Sequence, residues 1–289
     1  MQVVRLLLDE CRAAGVRLEA GCAVAEVAKD ESGFRLETAR GTVRAPRLVV
    51  ATGGLSVPAI GATDFGHRLA ARFGHRVVPP RPALVPLLLD RAEEPALDGL
   101  AGVALPVRVA TPAGRVSFDE DLLFTHRGLS GPAALQISTW WRAGEPLAVD
   151  LAPAIDVRRA LGDAKAGSRR GARRVLAEHL PDRLAARWLA AQGDAADRPL
   201  AERRDRELDA LAASLHAWRP RPTGTEGWKK AEVTAGGVDT TELDPRRLES
   251  RRVPGLHFVG EVVDVTGWLG GYNFQWAWAS AFACAEGLR

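Results

Sequence analysis

The sequence predicts an α/β fold in which one domain is interrupted by a β-rich and helical insertion. Two apolar runs predict it: residues 48–51 and 256–259 lie near opposite ends of the chain and each runs into glycine, at Gly53-Gly54 and at Gly260. Neither alternates apolar with polar residues, which is the pattern of parallel strands buried on both faces. The third observation is the change of pattern between them. Short strands with frequent Gly and Pro fill residues 83 to about 150, and helical periodicity fills 155–218. The expected division is 1–82 for the first part of the α/β domain, 83–230 for the insert and 231–289 for the closing part. Within the insert, 83–153 reads as a small β-barrel or sandwich and 154–220 as helical.

The elements follow in order. The chain opens on an amphipathic helix with Val4, Leu7, Leu8 and Cys11 on one face and Gly15 as its stop. Asp9 and Glu10 interrupt what a signal peptide would keep apolar, and no small-residue cleavage site follows. Strands are expected around 16–18, 23–27 and 34–38, punctuated by Gly33 and Gly41. Residues 64–73 read as a helix with Leu69, Ala70 and Phe73 inward and Gly74 as its cap. Pro79-Pro80-Arg81-Pro82 reads as the crossing into the insert. The runs LVPLLL, VALPVRVA, GRVSF, DLLFT and PLAVDL are its strands. Leu176, Leu180, Leu184 and Trp188 recur every four residues, and Leu208, Leu211, Leu215 and Trp218 form a second stripe, both read as helical core. Arg169, Arg170, Arg173, Arg174, Arg203, Arg204 and Arg206 are read as a solvated face. Strands return in KKAEVTAGGV before the closing segment.

Composition excludes several classes. With 46% hydrophobic and 26% charged residues, the chain is that of a globular protein, and no apolar run approaches the roughly 20 residues of a membrane-spanning helix. A net charge of +3, from 39 basic and 36 acidic residues, is a weak pointer to nucleic acid. Cys11, Cys22 and Cys284 form no CxxC or metal spacing, which is the usage of reduced thiols in a cytoplasm. The histidines show no HExxH or comparable metal spacing.

The closing segment carries the chemistry. Gly260 lets backbone approach a ligand that a Cβ would push away. Glu261, at the carboxyl end of a parallel strand, is placed to accept from polyol hydroxyls. Gly270 and Gly271 precede a helix starting near Asn273, whose first amides, those of Asn273 and Phe274, face an electron-rich carbonyl or an anion. The plainer reading is that the glycine pair only makes a loop.

The stretch GLHFVGEVVDVTGWLGGYNFQWAWASAFA resembles the C-terminal flavin segment of the HI0933/YhiN-like family of bacterial FAD-dependent oxidoreductases. RLVVATGGLSVPAIG, RPALVPL, LLFTHRGLSGPAALQIS and KKAEVTAGGVDTTELDPRRLES match the same family in the same order. The resemblance implies a glutathione-reductase-like FAD-binding domain interrupted by a β-barrel insert with attached helices. It implies FAD as cofactor, with NAD(P)H as electron donor. It places the Val24 backbone at the adenine, and Thr52, Gly53 and Gly54 beside the cofactor. Glu261 falls at the ribityl chain, with Asn273 and Phe274 at the flavin pyrimidine edge. The departures are GATDFGH, where the family usually keeps another glycine near Asp64, and the start. No strand–GxGxxG–helix opening is present in the chain, so the resemblance implies a member truncated at its N-terminus.

The expected activity is hydride transfer to an activated carbon–carbon double bond of a small molecule or an RNA base, with no membrane or metal involved. The insert closes over the flavin in this architecture. His126 and Tyr272 are the candidate proton donors, while Thr125 to Pro132 also reads as a barrel turn whose polar atoms satisfy local backbone. Pro132 stands where a nucleophile elbow needs glycine. Two other readings stand beside this one: a catalytically inactive fragment or non-enzymatic binding protein, and an RNA-binding module.

Overall fold

The computed structural model describes residues 2–90, 92–166, 169–193 and 198–288. Its elements gather round two large apolar clusters. Helix α1 (Gln2–Ala13) ends as its sequence requires: the Val16 amide donates to the Cys11 carbonyl and the Gly15 amide to that of Arg12, with Gly15 at φ 71°. None of its residues is buried, so its apolar face has no partner among the described residues. Residues 16–18, expected as a strand, are irregular, because Val16 is spent on closing the helix and Leu18 stays exposed without a pairing neighbour.

An antiparallel meander follows, β1 (Val24–Asp30), β2 (Gly33–Thr38) and β3 (Gly41–Ala45). Phe34 buries itself in the first cluster, edge-on to Phe73 at 6.2 Å. Strand β4 (Leu48–Val50) leads to helix α2 (Phe65–Arg72), which buries Leu69 and Ala70. The run 256–259 returns from the far end of the chain as β13 (Leu256–Phe258) and pairs in parallel with β4, Leu256 opposite Leu48 and Phe258 opposite Val50. Both faces of β4 were expected to be covered; Val49 instead keeps 38% of its surface exposed. The last helix, α8 (Tyr272–Leu288), buries Ser280 and Cys284 against this cluster. Its other side presents Phe274, Trp278 and Phe282, one turn apart, to solvent.

The proline run lies inside a strand. β5 (Val77–Ala83) pairs antiparallel with β12 (Val233–Val238), and among the described residues no third strand asks its prolines for amides. The register slips between Ala235 and Gly237, and Gly236 fills the slip because a Cβ there would stand 2.5 Å from the Pro79 carbonyl oxygen.

Six strands then form one curled antiparallel sheet, a half-barrel, in the order β10-β7-β8-β9-β6-β11. They are β6 (Leu87–Leu89), β7 (Ala104–Ala110), β8 (Ser117–Phe124), β9 (Gly128–Ser130), β10 (Ala148–Asp150) and β11 (Pro222–Thr225). GRVSF and DLLFT, expected as two strands, merge into β8, whose Phe118, Leu122 and Phe124 face the core at even spacing. Gly128 allows β9 to close on β6, since a Cβ there would meet the Leu87 carbonyl at 2.2 Å.

Helix α3 (Gly131–Ser138) packs on this sheet, and α4 (Val157–Lys165), α5 (Ala172–Leu176), α6 (Asp182–Ala191) and α7 (Asp205–His216) complete the second core. The four-residue stripe from Leu176 to Trp188 spans two helices, because Pro181 starts a new one, yet all four members are buried. Trp188 and Trp218 meet edge to face at 5.7 Å, and their indole N–H groups donate to Ser214 and Glu94, so they are core and not a ligand box. Of the seven arginines read as solvated, Arg203 is buried: it closes the turn Leu200–Glu202 directly before α7 and is covered there.

Two buried imidazoles set a pH dependence. Burial pushes His67 below the ordinary imidazole value of 6.5 against the weaker pull of Asp64, and pushes His75 down against that of Glu242. The unfolded chain therefore takes up protons before the folded one does as pH falls below 6.5. Stability is expected to be whole above that value and to decline below it, by at most about 1.4 kcal/mol per pH unit for each imidazole. Denaturation midpoints measured between neutral pH and pH about 5 should fall for the native chain and fall less for His67→Leu; equal slopes would contradict the assignment.

Candidate functional site

The parallel pair β4–β13 ends in two glycine turns side by side. Gly53 takes φ 70° and Gly260 takes φ 73°, values that favour glycine. Helix α8 holds the second turn by both backbone groups: the Gly260 amide donates to Ser280 Oγ at 2.9 Å, and Trp276 Nε1 donates to the Gly260 carbonyl at 3.0 Å. One residue on, the Glu261 carboxylate accepts the Thr234 amide on Oε1 at 2.8 Å and the Gly54 amide on Oε2 at 3.2 Å. The Thr234 hydroxyl in turn accepts the Leu55 amide at 2.8 Å. Burial pushes the Glu261 carboxyl up, and the two backbone amides hold it down.

The loop before α8 is stapled by the Asn273 side chain. Its Oδ1 accepts the Gly267 amide at 2.8 Å, while Nδ2 donates to the Gly267 carbonyl at 3.1 Å and to that of Trp268 at 3.4 Å. Gly267 is required there, since a Cβ would lie 2.7 Å from that of Tyr272. Trp268 reaches across to the half-barrel and meets Phe118 edge to face at 5.4 Å. Helix α8 starts at Tyr272, with its first intrahelical bond from the Gln275 amide to the Gly271 carbonyl. The amides of Tyr272, Asn273 and Phe274 precede that bond and have no intrahelical acceptor.

These pieces enclose a cavity of about 600 Å³. Its lining contains Gly53, Gly260, Glu261, Gly270, Gly271, Asn273 and Phe274, all read as site residues from the sequence. Leu84, Val233 and Trp268 also line it; they lie in stretches read from the sequence, though not as site residues. Thr52 and Gly54 stand behind the lining: Thr52 packs against Gly66 of α2, and Gly54 is turned toward Glu261 and Thr234. Val24 lies outside it, at the head of β1 and paired with Thr38. His126 also lies outside, on the exposed turn between β8 and β9. The Thr125 hydroxyl closes that turn by accepting the Arg127 and Gly128 amides, both at 3.1 Å, which is the barrel-turn alternative. Tyr272 is not part of the lining either, but its sequence neighbours Gly270, Gly271 and Asn273 are; it is 60% exposed, its ring edge close to Gly270. Thr234 was missed; its one signal was a hydroxyl inside the small, apolar run VTAGGV. Among the described residues no group of acidic, His or Cys side chains could hold a metal ion, and no helix is long and apolar enough to cross a membrane.

Comparison with known proteins places this geometry. The model of the HI0933-like protein Rossmann domain matches residues 1–287. The ribosomal RNA dihydrouridine synthase of Escherichia coli (strain K12) is 49% identical over 288 residues, 99% of this chain and 72% of that protein. The protein of the same name from Haemophilus influenzae is 43% identical over 98% of this chain and 71% of its own length. The 3-dehydro-bile acid delta(4,6)-reductase of Clostridium scindens is 30% identical over 97% of this chain and 71% of that protein.

The Glu261 tie makes Gly54 intolerant of a side chain: a Cβ there would lie 2.2 Å from Thr234 Oγ1 and 2.5 Å from Glu261 Oε2. Gly54→Ala should lower stability by about 1–3 kcal/mol. Glu261→Gln should cost a similar amount, because its amide nitrogen would face a backbone N–H where an acceptor stood. Thermal melts of the two variants and the native chain test this, and unchanged melting would remove the tie from the account.

Proposed function

The chain belongs to the HI0933-like family, and from that premise we propose that it is an FAD-dependent oxidoreductase acting on an activated carbon–carbon double bond. The observation that carries the reading is the cavity at the carboxyl ends of β4 and β13, with the free amides of α8 at its edge. Its size and mixed lining suit a flavin ring. When bound, the flavin supplies the hydride, with NAD(P)H as the source of electrons.

The chain's own residues bind and orient. Gly53 and Gly260 let backbone lie against the ring. Each Glu261 oxygen has one amide and keeps a lone pair for a ribityl hydroxyl. The Asn273 and Phe274 amides donate to the pyrimidine edge, where the positive helix end favours negative charge. Thr52 and Gly54 fix the strand end behind the ring, and the Val24 backbone is assigned to the adenine. For the proton that completes reduction of the double bond, Tyr272, whose ring lies against the lining residue Gly270, is favoured over His126 on the turn between β8 and β9. The names of the relatives at 49% and 43% identity favour a uracil ring of ribosomal RNA as acceptor over the bile-acid ring named for the relative at 30%.

Titration of FAD into the purified chain, followed by flavin absorbance and fluorescence, tests the cofactor. Phe274→Pro deletes one donor in the first helical turn, where proline is tolerated, and should weaken FAD binding by about five- to tenfold relative to Phe274→Ala. A colourless chain that leaves FAD fluorescence unchanged would sink the reading in favour of an inactive, non-enzymatic member. With protein-free ribosomal RNA and NADH or NADPH, dihydrouridine should accumulate, and Tyr272→Phe should slow it without changing FAD affinity.

A further inference from the structure

We propose that an open groove on the helical part of the insert binds the phosphate backbone of RNA. The inference rests on the reading of ribosomal RNA as substrate and goes beyond it, since the groove is separate from the flavin cavity. Residues 155–221 hold 15 of the 39 basic side chains and 10 of the 36 acidic ones, so this segment carries +5 while the rest of the chain carries −2. That excess has a focus in a groove of about 440 Å³ lined by Arg169, Arg170, Arg173, Arg174 and Asp182.

Two of these arginines are paired and two are not. Arg173 makes a fork to Asp182, Nε to Oδ1 at 2.9 Å and Nη2 to Oδ2 at 2.6 Å, and Arg170 pairs with Glu178. Those carboxylates hold the inner guanidinium groups in place and cancel their charge. Arg169 and Arg174 are exposed and have no acidic partner among the described residues. The groove therefore keeps two uncompensated planar cations beside two fixed ones. Guanidinium groups so placed suit phosphate oxygens, each of which accepts from a planar fork. RNA, and not an acidic protein, is the occupant the relatives' printed names favour.

Filter binding of the full chain to protein-free ribosomal RNA across a salt series tests the groove. Arg169→Gln with Arg174→Gln should weaken binding about tenfold or more at low salt and reduce the slope of log K against log salt by about 1.5–2, one phosphate contact for each arginine. Arg115→Gln with Arg246→Gln, an equal loss of exposed charge elsewhere, should change binding far less. Arg169→Lys with Arg174→Lys should restore the salt slope and part of the affinity, which a folding defect would not allow. If native chain binds and the groove variant binds equally, the groove proposal fails while the RNA-substrate reading stands. If binding depends on the groove but no dihydrouridine forms, the substrate reading fails and the groove stands. Absence of salt-dependent binding by the native chain overturns the proposal, as does competition by polyglutamate that matches RNA.

Discussion

The buried Glu261 carboxylate, accepting the Gly54 and Thr234 amides, is the contact on which the cavity depends. It joins the end of β4, the start of β12 and the turn after β13, three stretches that the sequence keeps far apart. Taking a carboxylate out of water is costly, and the upward push on Glu261 registers that cost. Two backbone amides offset it, and those same amides would otherwise be buried without acceptors. Once the three segments are tied, Gly260 can be gripped by Ser280 and Trp276, which fixes where α8 begins. The free end of that helix then faces the cavity because of a hydrogen bond made on the other side of it.

Much of this was legible in the residues and some of it was not. The two apolar runs ending on glycine marked both strands of the parallel pair, although Val49 keeps part of its surface open and neither run told that the two pair with each other. The pair Gly270-Gly271 located the start of α8 to within a residue. Thr234 was invisible because a hydroxyl in a buried strand gains its meaning from a partner 27 residues away. The prolines of β5 hid a strand for a related reason: proline breaks a strand with two neighbours but not one with a single neighbour and a bulge opposite. Trp268 carries no sequence signal at all, since its partner Phe118 belongs to a different part of the chain. His126 attracted notice as a titratable residue in a matched motif, yet the same motif is what closes a tight turn.

The insert has an apolar cluster of its own and meets the rest of the chain through side chains from both flanking parts. Arg81 donates to the Thr139 carbonyl at 2.6 Å, and Leu84 and Val233 share a small separate cluster with Leu135 and Leu269. Trp268 against Phe118 is a further contact across. Such a seam divides labour. One cluster holds the glycine turns that line the cavity, and the other carries an arginine-rich exterior set apart from those turns.

The pairing of β4 with β13 also bears on the order of assembly. Val50 meets Phe258 across more than two hundred residues of intervening chain, so β4 emerges during synthesis long before its partner exists. A loop of that length is expensive to close in an unfolded chain, but the cost grows only logarithmically, and a folded insert shortens it to the gap between β5 and β12. The β5–β12 ribbon at the root of the insert holds the two ends near each other, and the carboxylate with its two amides closes the same gap. The cavity is thus built from segments made at opposite ends of synthesis.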